Sequence, residues 1–237
     1  MCLLLALRNA AACQLWVAAN RDERLSRGWS APALICPDPP VFGGVDVEGG
    51  GSWLAVNLAA GFVVGVTNAR LGARPGRRSR GLLVLDAAMQ ATLAGAVALL
   101  TEVDMDNYGA FNLLLADAKA SFVATNYPRA RLEPLEEPLV ALSNEPLGEA
   151  QPRSEAALRA LAPAIHGGAG EVAAAMAQLL TDHQGSDPFC RHYGLFGTVC
   201  STILTLHGAT VERYLFAAGP PCQTPFQPVA LPPPPYS

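Results

Sequence analysis

Short apolar runs alternate along this chain with polar breaks marked by Gly and Pro, and most of the runs are continuous rather than alternating. Residues 2–7 and 13–19 read as paired strands, with the polar stretch 8–12 as the turn between them. A Pro- and Gly-rich segment from 28 to 51 reads as a loop. Residues 53–58 and 62–67 predict a hairpin, and 70–80 an Arg-rich loop. Leu82, Leu85, Ala88 and Met89 recur at helical spacing and predict a helix over 81–92, with a second over 94–102. A second hairpin, 111–115 with 121–125, is followed by a short strand at 139–143. Two more helices are predicted at 153–161 and 170–183, the latter with Glu171 in its first turn, where the helix dipole favours an anion. A last hairpin, 200–206 with 210–216, leads into a loosely held Pro-rich tail.

Strands arriving in adjacent pairs, with helices in pairs between them, predict an α+β fold with two stacked sheets and helices outside: a four-layer αββα sandwich. In such a sandwich both faces of each sheet are covered, which accounts for LLLAL, FVVGV and FNLLL as unbroken apolar runs. There is no internal repeat and no linker, so residues 1–219 form one domain and 220–237 a C-terminal tail.

Composition narrows the function. A chain of 237 residues needs no staples to build a core, and a net charge of −4 argues against a nucleic-acid partner. Lys119 is the only lysine. The six cysteines show no Cys-x-x-Cys pair, which fits free thiols in a reducing, cytoplasmic compartment. The apolar start lacks a basic segment and is ended by Arg8, unlike a signal peptide. No apolar stretch approaches the ~20 residues a membrane span takes.

Cys2 directly follows the initiator methionine. Cys is small enough for methionine aminopeptidase to remove Met1, which would place a thiol and a free α-amino group on one residue. An α-amine with an ordinary pKa near 8 can take the thiol proton, so a single residue would supply nucleophile and base.

The second strand ends in VAANRDER, and here the chain resembles the NRDE family, also called the transport and Golgi organisation 2 family. The matching blocks are Met1-Cys2, Asn20-Arg21-Asp22-Glu23, Gly50-Gly51-Ser52-Trp53-Leu54, Thr67-Asn68, Ser79-Arg80-Gly81, Phe111-Asn112-Leu113-Leu114, Leu142-Ser143-Asn144, Gly197-Thr198 and Cys200-Ser201-Thr202. The resemblance implies an N-terminal-nucleophile (Ntn) hydrolase-like αββα fold, distantly similar to choloylglycine hydrolases and penicillin V acylases. It implies an amidohydrolase or acyltransferase acting on a small acylated amide with no required cofactor. Cys2 then matches the nucleophile and Asp22 the carboxylate that holds its amine. Asn68 and Asn144 match two oxyanion-hole residues, although Asx residues at strand ends also simply make turns. The group's Arg near this Asp is shifted, since Arg21 lies directly beside Asp22. The family's late Tyr-Gly-Thr-Arg block reads Phe196-Gly197-Thr198-Val199 here.

The family's association with haem trafficking implies an alternative: a non-catalytic carrier of haem, acyl-CoA or lipid. Arg70, Arg74, Arg77, Arg78 and Arg80 crowd one loop, either to capture phosphates or propionates or as a solvated surface. Trp53, Arg70 and Arg80 are the candidate ligand-binding residues. Cys36-Pro37 resembles a haem-coordinating dipeptide, but a loop cysteine before a proline accounts for it. His183, Cys190 and His192 fall in DHQGSDPFCRH with no standard zinc spacing, so no metal site is predicted. The tail sequence Pro-Pro-Pro-Pro-Tyr suits a WW-type reader, though a plain tail is the default.

Overall fold

The computed structural model describes residues 2–9, 12–69 and 76–233. The chain runs β1 (Cys2–Asn9), β2 (Gln14–Arg24), β3 (Trp29–Pro37), β4 (Pro40–Asp46), β5 (Leu54–Asn57) and β6 (Phe62–Asn68). Helices α1 (Arg80–Ala88) and α2 (Leu93–Glu102) follow, then β7 (Phe111–Ala116), β8 (Ser121–Thr125), β9 (Arg131–Pro134) and β10 (Leu139–Leu142). The second helix pair, α3 (Pro152–Leu161) and α4 (Ala169–Thr181), precedes β11 (His192–Tyr193), β12 (Phe196–His207), β13 (Thr210–Ala217) and β14 (Gln227–Pro228).

Two antiparallel sheets result. One has the order β10-β1-β2-β12-β13-β14 with β11 beside β12, and the other is a meander from β3 to β9. Successive side chains of a strand point to opposite faces. In β1, Leu4 and Ala6 therefore enter the core between the sheets, while Leu3, Leu5 and Leu7 pack with Leu161, Met176 and Leu180 of α3 and α4. In β6 and β7, Val63 and Leu114 face the first sheet, and Phe62, Val64, Leu113 and Leu115 pack with Leu83 and Val84 of α1. The layers are helix pair, sheet, sheet, helix pair, and the unbroken apolar runs arise because every central strand is covered twice.

Three expectations need correction, and one strand was not foreseen. The segment 28–51 is largely the hairpin β3–β4 rather than a loop. Its prolines are accommodated because β3 is an edge strand, where a missing N–H breaks no ladder. A further edge strand, β9, is too short and exposed to show a pattern. The first predicted helix stops at Ala88 because Thr92 turns to cap α2, its hydroxyl accepting the Gly95 N–H at 3.0 Å. The tail is docked rather than loose in its first part: Leu215 and Phe216 pair with Pro228 and Gln227. The turn residues 10–11, the loop residues 70–75 and the Pro-Tyr terminus at 234–237 lie outside the described residues. No described helix is long and apolar enough to cross a membrane.

One close approach positions the site. A side-chain carbon on Gly51 would lie 2.1 Å from the Gly81 carbonyl carbon, and the Ser52 N–H donates to Gly81 O at 3.0 Å. This seats the start of α1, with Ser79 and Arg80, against the strand end next to Trp53. The inter-sheet core carries the stability. Leu114→Ala, at a fully buried position, is expected to cost about 2–5 kcal/mol in denaturant unfolding. Leu195→Ala, 87 % exposed, is expected to stay within about 0.5 kcal/mol; equal effects would contradict the layered core.

Candidate active site

Cys2 begins β1 beside Arg21 of β2, half-buried at a cavity of about 440 Å³. Its backbone N–H donates to Asn144 Oδ1 at 2.6 Å, and Asn144 Nδ2 donates to Asn68 O at 2.7 Å. The donor on one side and the acceptor on the other fix which way the amide points. Asn68 ends β6 in the second sheet, and Asn144 follows β10 in the first, so Asn144 ties the two sheets together at Cys2. Next to it, Thr67 Oγ1 donates to Ser143 O at 2.7 Å and Asn112 Nδ2 to Glu145 O at 2.9 Å. The expected pair of oxyanion-hole residues thus divides its labour. The amide of Asn144 is committed to Cys2 and Asn68, while the Asn68 side chain lines the cavity with no hydrogen bond among the described residues.

The Asn-Arg-Asp-Glu block lies within β2, and strand alternation sorts its members. Asn20 is fully buried, donating to Leu180 O and Phe189 O at 2.9 Å each and accepting from Ser201 Oγ at 2.7 Å. Its role is to lock the end of α4 onto the sheet. Arg21 faces the second sheet, its guanidinium 4.5 Å over the Trp53 ring and 3.3 Å from Asp46 Oδ2. Arg27 Nε also donates to Asp46, at 2.8 Å. Burial raises the Asp46 pKa, but the hydrogen bonds from Arg27 and the Gly49 N–H outweigh it and hold the carboxyl below its ordinary range. Glu23 sits at the rim near Arg27.

Asp22 is 2 % exposed and lines the same cavity as Cys2. Its Oδ1 accepts from Thr198 Oγ1 at 2.7 Å, and the Arg153 and Arg191 guanidinium groups lie 3.6 and 3.9 Å from Oδ2. Burial pushes the Asp22 pKa up to about 6, against the opposing pull of Thr198, Arg153 and Arg191. Thr198 sits at a β-bulge: it pairs with Asp22 and Cys200 with Arg21, leaving Val199 between them. Val199, at the position where the resemblance expects an Arg, packs with Cys200, Phe216, Trp29 and Trp53. The cations near Asp22 come instead from Arg153 on α3 and Arg191 before β11. Both are buried and bound to the loop 187–189, Arg153 to Pro188 O and Arg191 to the Asp187 carboxylate. Neither is legible in sequence, where an Arg in a helix or loop reads as surface.

The mouth of the cavity is basic. Five arginines, Arg21, Arg27, Arg77, Arg78 and Arg80, face it against the three carboxylates Asp22, Glu23 and Asp46. Arg78 pairs with Asp86 and bonds Tyr108 Oη at 2.7 Å. Arg80 donates to Ala110 O at 3.0 Å and forms no ion pair among the described residues. Burial lowers the Arg80 pKa, with Cys2 and Glu23 pulling it the other way. Arg70 and Arg74 lie outside the described residues. Cys36, on the edge strand β3, bonds Asp38 O at 3.3 Å and is not part of the cavity wall. Cys190 and His192 also lie outside the cavity wall, close to Cys222.

The sequence profile described as Transport and Golgi organisation 2 matches residues 1–214. No curated protein sequence matches the chain. Among solved structures, a Caenorhabditis elegans N-acylethanolamine-hydrolyzing acid amidase ortholog superposes with a TM-score of 0.59 at 14% identity, covering 85% of this chain and 92% of that one. This likeness shows the N-terminal-nucleophile hydrolase fold. A Thiobacillus denitrificans protein, BPH in complex with Epoxomicin, matches at a TM-score of 0.43 and 9% identity over 87% of this chain and 98% of that one.

The burial of Asp22 makes a stability prediction. Its folded pKa of about 6 lies above the ordinary 3.8, so folding is favoured by the protonated form. That stability is fully present below about pH 4 and is lost as the pH rises to about 6, an amount of ~3 kcal/mol at about 1.4 kcal/mol per pKa unit. Denaturant unfolding of the wild type and Asp22→Asn between pH 4 and 7 should show the loss in the wild type alone; parallel pH profiles would contradict the buried, raised carboxyl.

Proposed function

The chain belongs to the transport and Golgi organisation 2 family, and from that premise we propose that it is an N-terminal-cysteine amidohydrolase or acyltransferase acting on a small acylated amide. The observation that carries this reading is the Cys2 backbone nitrogen held by Asn144 at the edge of a cavity that Asp22 and Asn68 also line. Removal of Met1 turns that nitrogen into a free amine, already provided with an acceptor.

The chemistry then follows from the residues. The α-amine takes the Cys2 thiol proton, and the thiolate attacks the amide carbonyl carbon. The carbonyl π electrons move onto oxygen, to which the Asn68 amide N–H, without a hydrogen bond among the described residues, would donate. Collapse breaks the C–N bond, and the leaving nitrogen takes the proton from the Cys2 ammonium. Water or an acceptor amine then attacks the thioester carbonyl while the α-amine takes its proton; the C–S bond breaks, and the ammonium returns the proton to the Cys2 thiolate. Asp22, when ionised, favours the ammonium, so activity should fall as the pH drops below about 6. Arg21 and the Trp53 ring form one wall and Arg80 another, which suits a substrate whose non-reacting part carries an acceptor or an anion. The matched nematode protein is named for hydrolysing N-acylethanolamines, which contain the same kind of bond.

A second reading rests on the basic mouth. Arg77, Arg78 and Arg80 would hold the phosphates of an acyl-CoA or the propionates of haem in a carrier without catalysis. One experiment separates the two. Met1-free protein is incubated with a panel of N-acyl amides, with and without a carboxylate on the amine side, and is titrated with haem and with acyl-CoA. Turnover of at least one amide is expected, abolished in Cys2→Ala and lowered about 10²–10³-fold in Asn68→Ala. Undiminished turnover by Cys2→Ala contradicts the amidohydrolase. No turnover together with saturable micromolar binding of haem or acyl-CoA establishes the carrier.

A further inference from the structure

A second constellation lies away from the cavity, where the turn after β13 meets the segment leading into β11. Cys190 Sγ is 3.4 Å from Cys222 Sγ and 3.8 Å from His192 Nε2, and His192 Nε2 is 3.0 Å from Cys222 Sγ. Cys190 is fully buried, Cys222 is half-buried and His192 is exposed. The cysteines are free thiols. In a tetrahedral zinc site with Zn–S near 2.3 Å and Zn–N near 2.0–2.1 Å, paired sulfurs lie about 3.8 Å apart and sulfur–nitrogen pairs about 3.6 Å. The two sulfur–nitrogen distances, 3.8 and 3.0 Å, fall either side of that value, and the sulfur–sulfur distance of 3.4 Å is shorter, so small side-chain shifts would seat the ion.

The geometry points to a thiophilic metal site, for Zn²⁺, formed by Cys190, His192 and Cys222. Two thiolates, a neutral imidazole and a divalent cation give an uncharged unit, which is why a half-buried place suits it. Binding releases the two thiol protons to solvent. Soft thiolate with imidazole selects zinc over the oxygen-seeking magnesium and calcium. His183, in the loop after α4, stands edge-on to His192 with ring centroids 6.2 Å apart. Its Nδ1 lies 3.3 Å from Thr181 O, and it is not one of the three clustered ligands, so the fourth position falls to water. The Cys-x-His pair is separated from its third member by 30 residues, so no local spacing reveals it.

The site has a consequence for Asp22. Arg191 sits between two of the ligands. Its N–H donates to Thr198 Oγ1 at 2.9 Å, its carbonyl accepts the Thr198 N–H at 2.9 Å, and Thr198 Oγ1 donates to Asp22 at 2.7 Å. A metal holding Cys190 and His192 to the turn at 220–224 pins both flanks of the residue that supports the Asp22 partner. The site stands independently of any amide chemistry, since its readout is the metal itself.

The test uses the full chain, fully reduced, equilibrated against buffered Zn²⁺ and, in parallel, titrated with Co²⁺. One Zn²⁺ per chain is expected, together with the thiolate-to-cobalt charge-transfer band and the intense visible bands of tetrahedral Co²⁺. Cys222→Ser and His192→Ala, both away from the core, should each weaken Zn²⁺ binding by more than the about 10–100-fold that loss of an outer-sphere partner costs. Zn²⁺ uptake by the wild type no greater than by Cys222→Ser overturns the proposal, as does a cobalt spectrum without the thiolate band. A Cys190–Cys222 disulfide in protein isolated from its host without reductant overturns it as well.

Discussion

Everything in this fold depends on where the first strand is placed. β1 lies inside its sheet, between β10 and β2, and is covered on one face by the second sheet and on the other by α3 and α4. The Cys2 peptide nitrogen is half-buried at this end of the sandwich, where an unpaired N–H is costly. Asn144 meets that need, and by doing so it joins the ends of two strands from different sheets around Cys2. Cys2 is therefore fixed by the same interactions that close the sandwich at this end.

The electrostatics follow from that burial. Asp22 sits next to the residue paired with Cys2 and is removed from water, which raises its pKa to about 6. Two buried arginines, Arg153 and Arg191, stand close to it and also hold the 187–189 loop. A buried carboxylate without such partners would take up a proton and cease to be an anion at neutral pH. Val199, in the bulge of β12, leaves the wall beside Trp53 apolar while the positive charge reaches Asp22 from the helical side. Arginines, three carboxylates and the Cys2 thiol therefore share the lining of one cavity.

Much of the layering was legible because both faces of the central strands are buried, so that β1, β6 and β7 stand out as unbroken apolar runs. The edge hairpin β3–β4 was not legible, since prolines and glycines there satisfy edge geometry rather than loop geometry. Cys2, Asp22, Asn68 and Asn144 were found from motifs, and the structure brings them to one end of the sandwich. Their division of roles needed coordinates: whether Asn144 serves the backbone of Cys2 or the cavity depends on a contact between residues 142 positions apart. Arg153, Arg191 and Cys222 carry no local signal at all, because each acts through a partner distant in the chain.

The central claim is that Cys2 is a processed N-terminal nucleophile, and the intact mass of the protein from its natural host tests it most directly. The account predicts a mass lower by one methionine, with the free α-amino group on Cys2. A chain that retains Met1 throughout the purified population would hold the Cys2 nitrogen as a peptide amide, with no amine on Cys2 to serve as base, and would contradict self-activated chemistry at this site.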